Sequence, residues 1–346
     1  MKFNELGRTG IKVSRICLGT MTFGEQNTED ESHRQLDMAY EHGVNFFDTA
    51  ETYSFPGRPE TQGNSERIIG TWMKARGNRQ RMVVATKITG PSAERSHIRG
   101  GYLRFTRDQV ADAVDLSLKR LQTDCIDLYQ THWPEREANY FGKLDYTHVP
   151  DDEFTPMEEQ HGALAEQVKA GKIRAIRVST ETAWGLMTFL EIAGRAGLPR
   201  FAAIQNPYNL LCRQYEVGLA EVSIREDCGL LAYSPLAFGA LSGKYLGGQL
   251  PDRSRHKLFP QFMRYFKPNG VKATEAYVGL ARDHGLEPSQ MALAFVNSRR
   301  FLTSTIIGAT STEQLASNLK TEDMVLSDDV LEGIDALHVE YSHPSP

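Results

Sequence analysis

Short apolar runs rich in β-branched and aromatic residues alternate with longer amphipathic stretches along the whole chain. The runs Arg15–Leu18, Val44–Asp48, Met82–Lys87, Cys125–Thr131, Ile173–Ser179, Ala202–Gln205, Leu230–Ser234 and Ser304–Ile307 predict strands. Helical patterns lie between them, among them Asp30–Glu41, Ser65–Arg76, Arg107–Leu121, Pro156–Ala170, Ala183–Arg195 and Gln214–Asp227. Helix-start signals stand at Thr106, at Thr182 and at Thr155-Pro156, where Pro would take the first helical position. Gly43 and Gly171 follow helices directly, as C-terminal caps do. Strands that read as continuous apolar runs, separated by helices, indicate a parallel sheet covered on both faces. About eight strand–helix units fit a closed (β/α)₈ TIM barrel of the α/β class better than an open doubly wound sheet.

Met1–Val13 reads as a small hairpin turning at Arg8-Thr9-Gly10, a structural lid on the barrel bottom. Three stretches exceed the minimal rhythm: Ser54–Gly63, Trp133–Asp152 and Ala237–Gly270. Each follows the end of a strand, where a barrel carries its active-site loops, and long functional loops belong there. With no internal repeat, low-complexity tract or linker, residues 1–346 read as one domain.

Composition removes several function classes. A chain of 346 residues can bury a large core without staples. A net charge of −5 with no basic block argues against nucleic acid as the main partner. The N-terminus has no apolar segment of secretory type, and no apolar run nears the ~18 residues of a membrane span. Cys17, Cys125, Cys212 and Cys228 form no CxxC pair and read as reduced thiols, so a cytoplasmic protein is expected.

The chemistry gathers at strand ends. Asp48 ends the second predicted strand, Lys87 the third, His132 follows the fourth, Ser179 ends the fifth, Gln205 the sixth, and Tyr233 stands at the end of the seventh. In a barrel these ends face one mouth. A Lys ending an apolar strand needs a partner, and Asp48 is the natural one. That pair alone could equally serve only to fix neighbouring strands. Tyr53 changes the picture: a phenol with an ordinary pKa of about 10 becomes a usable acid if an ammonium lies near it. His132 could then orient a substrate oxygen. Alone, His132 reads as a satisfied strand-end residue and Tyr53 as a loop tyrosine.

The segments CLGTMTFG (Cys17–Gly24), FFDTAETY (Phe46–Tyr53), NSERIIG (Asn64–Gly70), SLKRLQTDCIDLYQTHWP (Ser117–Pro134), GKIRAIRVS (Gly171–Ser179), IQNPYNLL (Ile204–Leu211), LLAYSPLAFGALSGKY (Leu230–Tyr245) and IIGATSTEQLASNL (Ile306–Leu319) resemble the aldo-keto reductase family over nearly the full chain. The resemblance is nearest to the bacterial Tas-like branch and the potassium channel β-subunit-like reductases. It implies an NADPH-binding barrel that reduces aldehydes or ketones. Tyr53 would be the general acid, Lys87 and Asp48 its tuning pair, and His132 the substrate-orienting residue. It further implies that Gly19, Thr20, Met21 and Asp48 line the mouth beside the nicotinamide. Ser179, Thr180 and Gln205 would clamp its carboxamide, with Thr180 where the family usually has Asn. Tyr233 would stack on the ring, and Ser234, Pro235, Leu236 and Lys244 would meet the phosphates. Arg255, Gly308, Thr310 and Gln314 would hold the 2′-phosphate and ribose, and Asn318 the adenine. Lys244 and Arg255 supply the charge that favours NADPH over NADH; without the resemblance they read as solvated loop charges.

Other motifs fail. GALSGK (Gly239–Lys244) is one residue short of a P-loop and is followed by Tyr245 where Ser or Thr is needed. No GxGxxG follows a first strand, and no histidine spacing suggests zinc. Two rivals to a reductase stand: a nicotinamide-bound sensor or regulatory subunit, and an aldolase with Lys87 as Schiff-base amine, which a close Asp disfavours. The partner expected is a small carbonyl compound, with homo-oligomerisation not readable. Phe55, Pro56 and Pro59 on one loop and Trp133, Tyr140, Phe141 and Tyr146 on another suggest an apolar or planar substrate, with Arg58 or Arg136 available to an anionic group.

Overall fold

In the computed structural model, which describes residues 1–345, all eight predicted runs enter one closed parallel barrel. An antiparallel hairpin of β1 (Phe3–Glu5) and β2 (Lys12–Ser14) precedes it. The barrel strands are β3 (Ile16–Gly19), β4 (Phe46–Asp48), β5 (Val83–Ile88), β6 (Ile126–Thr131), β7 (Ile173–Ser179), β8 (Phe201–Pro207), β9 (Gly229–Tyr233) and β10 (Leu302–Ile307). Each pairs with its neighbour in sequence, and β10 closes the ring on β3. The first six helices separate successive strands from β3 to β9: α1 (Glu29–Glu41), α2 (Asn64–Arg76), α3 (Arg107–Leu121), α4 (Met157–Lys169), α5 (Ala183–Ala196) and α6 (Tyr215–Arg225). Between β9 and β10 lie α7 (Arg255–Leu258), α8 (Pro268–Asp283) and α9 (Pro288–Asn297), and α10 (Thr312–Leu319) and α11 (Asp328–Glu340) follow β10. No helix among the described residues is long and apolar enough to cross a membrane.

Helix starts follow local chemistry. Thr28 and Glu31 form a reciprocal capping box on α1, and the Thr182 side chain accepts from Gly185 N at the start of α5. Thr106 occupies the N-cap of α3 without a side-chain bond. Pro156 is the N-cap of α4 rather than its first helical residue, a shift of one position. Gly70 has a different task. A Cβ there would stand 2.6 Å from the Arg120 carbonyl oxygen, so α2 and α3 approach more closely than any side chain would allow.

Two apolar clusters divide the core. One is the annulus between helices and strands, including Trp72, Phe47, Tyr129, Phe189 and Phe295. The other fills the barrel interior, where the two-residue period of each strand turns Cys17, Phe46, Ala85, Leu128, Ala175, Ala203, Leu231 and Ile306 inward. Leu6, Ile11 and Val13 of the hairpin join that inner cluster, so the hairpin plugs the bottom of the barrel as expected. The next inward position on each strand, toward the mouth, is Gly19, Asp48, Lys87, Gln130, Arg177, Gln205, Tyr233 and Gly308. An apolar floor thus carries a largely polar layer directly above it.

Candidate active site

Asp48 is the hub of the polar layer. Its Oδ1 accepts from Lys87 Nζ at 2.6 Å, and its Oδ2 accepts from Gln205 Nε2 at 2.9 Å and also pairs with Arg177 Nη2. Lys87 donates a second bond of 2.6 Å to the Thr49 carbonyl. Lys87 and Arg177 are wholly buried and Asp48 nearly so. Burial opposes ionisation of Asp48, but the charges of Lys87 and Arg177 outweigh it and hold the carboxyl below its usual range. Burial lowers the pKa of Lys87, opposed by Asp48 and reinforced by Arg177.

Above this layer the Lys87 ammonium lies 5.0 Å from the centre of the Tyr53 ring. The His132 ring meets Tyr53 edge-on, with centroids 5.6 Å apart. The four residues expected to act together are therefore neighbours. One expectation about them is corrected. Resting Tyr53 is a weaker acid than a free phenol, because burial and then the charge of Asp48 raise its pKa, while Arg255 and Arg95 act weakly the other way. Lys87 cannot lower it much at rest, since its own charge is matched by Asp48. His132 is held neutral: burial first, then Lys87, Arg95 and Arg177, push its pKa well below the usual value.

The strand ends beyond the hub collect hydroxyls and amides. Ser179 Oγ lies 3.3 Å from Thr180 Oγ1 and 3.4 Å from Gln205 Oε1, and Thr180 N donates to the Gln205 carbonyl at 2.7 Å. Thr180 has φ of 55°, in the left-handed region. Thr20 donates from both backbone N and side-chain Oγ1 to the Asp48 carbonyl, tying β3 to β4 beside Gly19 and Met21. After Tyr233 the backbone turns through positive φ at Ser234, Ala237, Phe238 and Gly239, past Pro235 and Leu236. Lys244 folds back over Gly239, and its ammonium lies 5.2 Å from the Tyr245 ring. Gln314 Oε1 accepts from Thr310 N at 3.0 Å, and Asn318 Nδ2 donates to the Gly308 carbonyl at 3.4 Å. Arg255 stands apart from this group. It stacks 5.0 Å over Phe238, with Tyr53 among the groups that act on its charge, and no hydrogen bond among the described residues joins it to Thr310, Gln314 or Asn318.

A model of the Aldo/keto reductase family matches residues 15–339. The chain belongs to the aldo/keto reductase family. Within this oxidoreductase family, Protein tas of Escherichia coli (strain K12) is 47% identical over the full length of both chains. Norsolorinic acid reductase stcV of Emericella nidulans is 31% identical over 92% of this chain and 77% of its own. A probable voltage-gated potassium channel subunit beta of Oryza sativa subsp. japonica is 29% identical over 97% of this chain and 96% of its own.

Sequence reasoning missed two inward residues of this aldo/keto reductase. Arg177 shares Asp48 with Lys87, and its Nε and Nη1 have no hydrogen-bond partner among the described residues; nor does either side-chain atom of Gln130, its neighbour across the strands. The signal was present, because Arg177 has the same parity on β7 as Ser179 and so must face inward with it. A fourth long connection, residues 89–106, also follows a strand end and carries Arg95. The two arginines expected to be free for an anionic group are engaged: Arg58 pairs with Glu25 at 3.2 Å and Arg136 forks onto Glu181. Among the described residues no cluster of three or more His, Cys, Asp or Glu could hold a metal ion.

Proposed function

We propose that this aldo/keto reductase is an NADPH-dependent carbonyl reductase that converts aldehydes or ketones to alcohols, with Tyr53 as general acid. The observation that carries the reading is a phenol flanked by an ammonium at 5.0 Å and by a neutral imidazole. The raised resting pKa keeps the Tyr53 proton in place at neutral pH, so the acid is loaded before a substrate arrives. As the proton leaves toward a carbonyl oxygen, negative charge grows beside Lys87. Asp48 offsets the Lys87 charge and Arg177 restores a net positive charge beneath the phenol, so the attraction is present in the transition state and absent from the ground state. His132, kept uncharged, offers one N–H to hold the carbonyl oxygen without adding a second cation.

The donor set fits an anionic dinucleotide. Ser179, Thr180 and Gln205 offer hydroxyls and an amide under Tyr233, and the positive-φ backbone from Ser234 to Gly239 suits an anion, with Lys244 and Arg255 on the same loop. Gly19, Thr20 and Met21 would flank the ring, and Gly308, Thr310, Gln314 and Asn318 would hold the far end. When bound, the reduced nicotinamide supplies the hydride. Tyr53→Phe should reduce turnover of a good test aldehyde at least about 10²-fold, as loss of a general acid does, while NADPH still quenches intrinsic fluorescence. Turnover at the wild-type rate in that variant would refute the assignment.

The relatives named as channel β-subunits favour a second reading, a cofactor-bound regulatory protein with little turnover. Steady-state rates on a panel of aldehydes and ketones separate the two.

A further inference from the structure

We infer that Arg95 forms an anion subsite in the substrate pocket, and that the preferred substrates are carbonyl compounds carrying a carboxylate. Arg95 sits on the connection between β5 and α3, at the mouth of the barrel. Its guanidinium carbon lies 5.3 Å over the Trp133 ring, and Trp133 in turn packs on His132 with centroids 4.8 Å apart. The side chain is fixed from behind, where Nε donates to Thr52 Oγ1 at 3.1 Å and Nη1 to Ser92 Oγ at 3.0 Å. Thr52 immediately precedes Tyr53 in the chain. The guanidinium is therefore set beside the same ring stack that carries the acid and the orienting imidazole, and its charge is felt at both Tyr53 and His132.

Its partners are unusual for an arginine. Both are neutral hydroxyls, and among the described residues no carboxylate lies within ion-pair distance and Nη2 makes no hydrogen bond. Three other arginines around the mouth have acids, Arg99 with Glu51, Arg104 with Glu135 and Arg136 with Glu181, whereas Arg255 stacks on Phe238 without one. The nearest acid to Arg95 in sequence is Glu94, exposed on the same turn. A guanidinium has five donors in a planar fork that matches a carboxylate, and a half-buried one without an acid is poorly compensated. A substrate carboxylate would complete it.

The turnover arm of the test rests on the reductase reading; a binding arm does not. Rates with NADPH are compared for 4-carboxybenzaldehyde and its methyl ester, methyl 4-formylbenzoate, in wild type, Arg95→Gln and Arg95→Lys. Wild type should prefer the acid in kcat/KM, mainly through KM, and Arg95→Gln should reduce the acid-to-ester ratio about tenfold or more, the loss expected for a charge-assisted bond. Arg95→Lys should keep part of the ratio. Calorimetric titration with benzoate, which cannot be reduced, should show binding to wild type that is lost in Arg95→Gln. Reduction of both aldehydes with no acid preference, or an unchanged ratio in Arg95→Gln, overturns the subsite and leaves the reductase standing. Benzoate binding that depends on Arg95 with neither aldehyde reduced supports the subsite and counts against the reductase. Absence of both benzoate binding and acid preference overturns the inference.

Discussion

Removing single members of the Asp48 hub should give a characteristic order of stability losses. Asp48→Ala leaves two wholly buried cations facing each other without an acid. Breaking one buried pair costs about 3–5 kcal/mol, so the loss of the shared partner should reach at least the top of that range. Arg177→Met is different. Asp48 keeps Lys87 at 2.6 Å and Gln205 at 2.9 Å, and the substitution also removes two guanidinium nitrogens that have no partner. Each unsatisfied buried donor costs about 1–3 kcal/mol, so the relief offsets most of the lost pair, and a net change within about 1.5 kcal/mol of wild type is expected. Lys87→Met falls between, because Asp48 retains Arg177 while the Thr49 carbonyl loses its donor. Urea unfolding at pH 7, followed by tryptophan fluorescence and far-UV dichroism, measures all three against wild type. If Arg177→Met were as destabilising as Asp48→Ala, the two cations would not be sharing one carboxylate, and the hub described above would be wrong.

Three further outcomes follow from particular contacts. A neutral buried His132 must stay uncharged while the unfolded chain protonates near pH 6.5, so its share of stability is full above that pH and falls below it, by at most about 1.4 kcal/mol per pH unit. His132→Phe should flatten the drop in urea midpoint between pH 8 and pH 5.5; an unchanged drop would count against the assignment. Gly70→Ala puts a methyl 2.6 Å from the Arg120 carbonyl and should cost about 1–3 kcal/mol by forcing α2 from α3; a neutral result in urea would show that the helices can part freely. Thr180 carries a β-branched side chain at φ of 55°, a conformation that Asn tolerates better. Thr180→Asn should therefore stabilise the protein by up to about 1 kcal/mol, and a lower urea midpoint would refute the strain.

The barrel was legible because parallel strands buried on both faces must be apolar throughout, and the eight runs from Arg15–Leu18 to Ser304–Ile307 all became strands. The strand-end polar residues were legible for the complementary reason that Lys87 or Asp48 stands out against such runs. What escaped was the contribution of residues whose neighbours in sequence disguise them. Arg177 sits in IRAIRVS beside Arg174, which is exposed, and only the parity of the strand separates the two. Arg95 carries no signal of its own in the sequence, because two of the groups around it, Thr52 and Trp133, are distant along the chain. The opposite error was made with Arg58 and Arg136, whose acids lie 33 and 45 positions away. Electrostatic sign was misjudged at Tyr53 because a sequence shows which charges are near, and not how deeply the phenol is buried.

With Lys87 and Asp48 alone, the layer under Tyr53 would carry no net charge, and a growing phenolate would feel little more than a dipole. Arg177 changes the total: two cations against one carboxylate leave a net positive charge beneath the phenol, and the guanidinium is electrostatically coupled to Tyr53. Under the proposed role of Tyr53, Arg177 is a positioning residue that holds Asp48 and tilts the field toward the phenolate. Removing it should raise the phenol pKa, since a cation that favours the phenolate is lost. In the proposed reduction Tyr53 acts in its protonated form, so the basic limb of the pH–kcat profile should move to higher pH in Arg177→Met, with kcat falling more than KM changes. A purely structural arginine would leave the limb where it is. A limb that stays fixed, or moves down, would mean that Lys87 alone sets the acidity and that the buried guanidinium only fills the barrel.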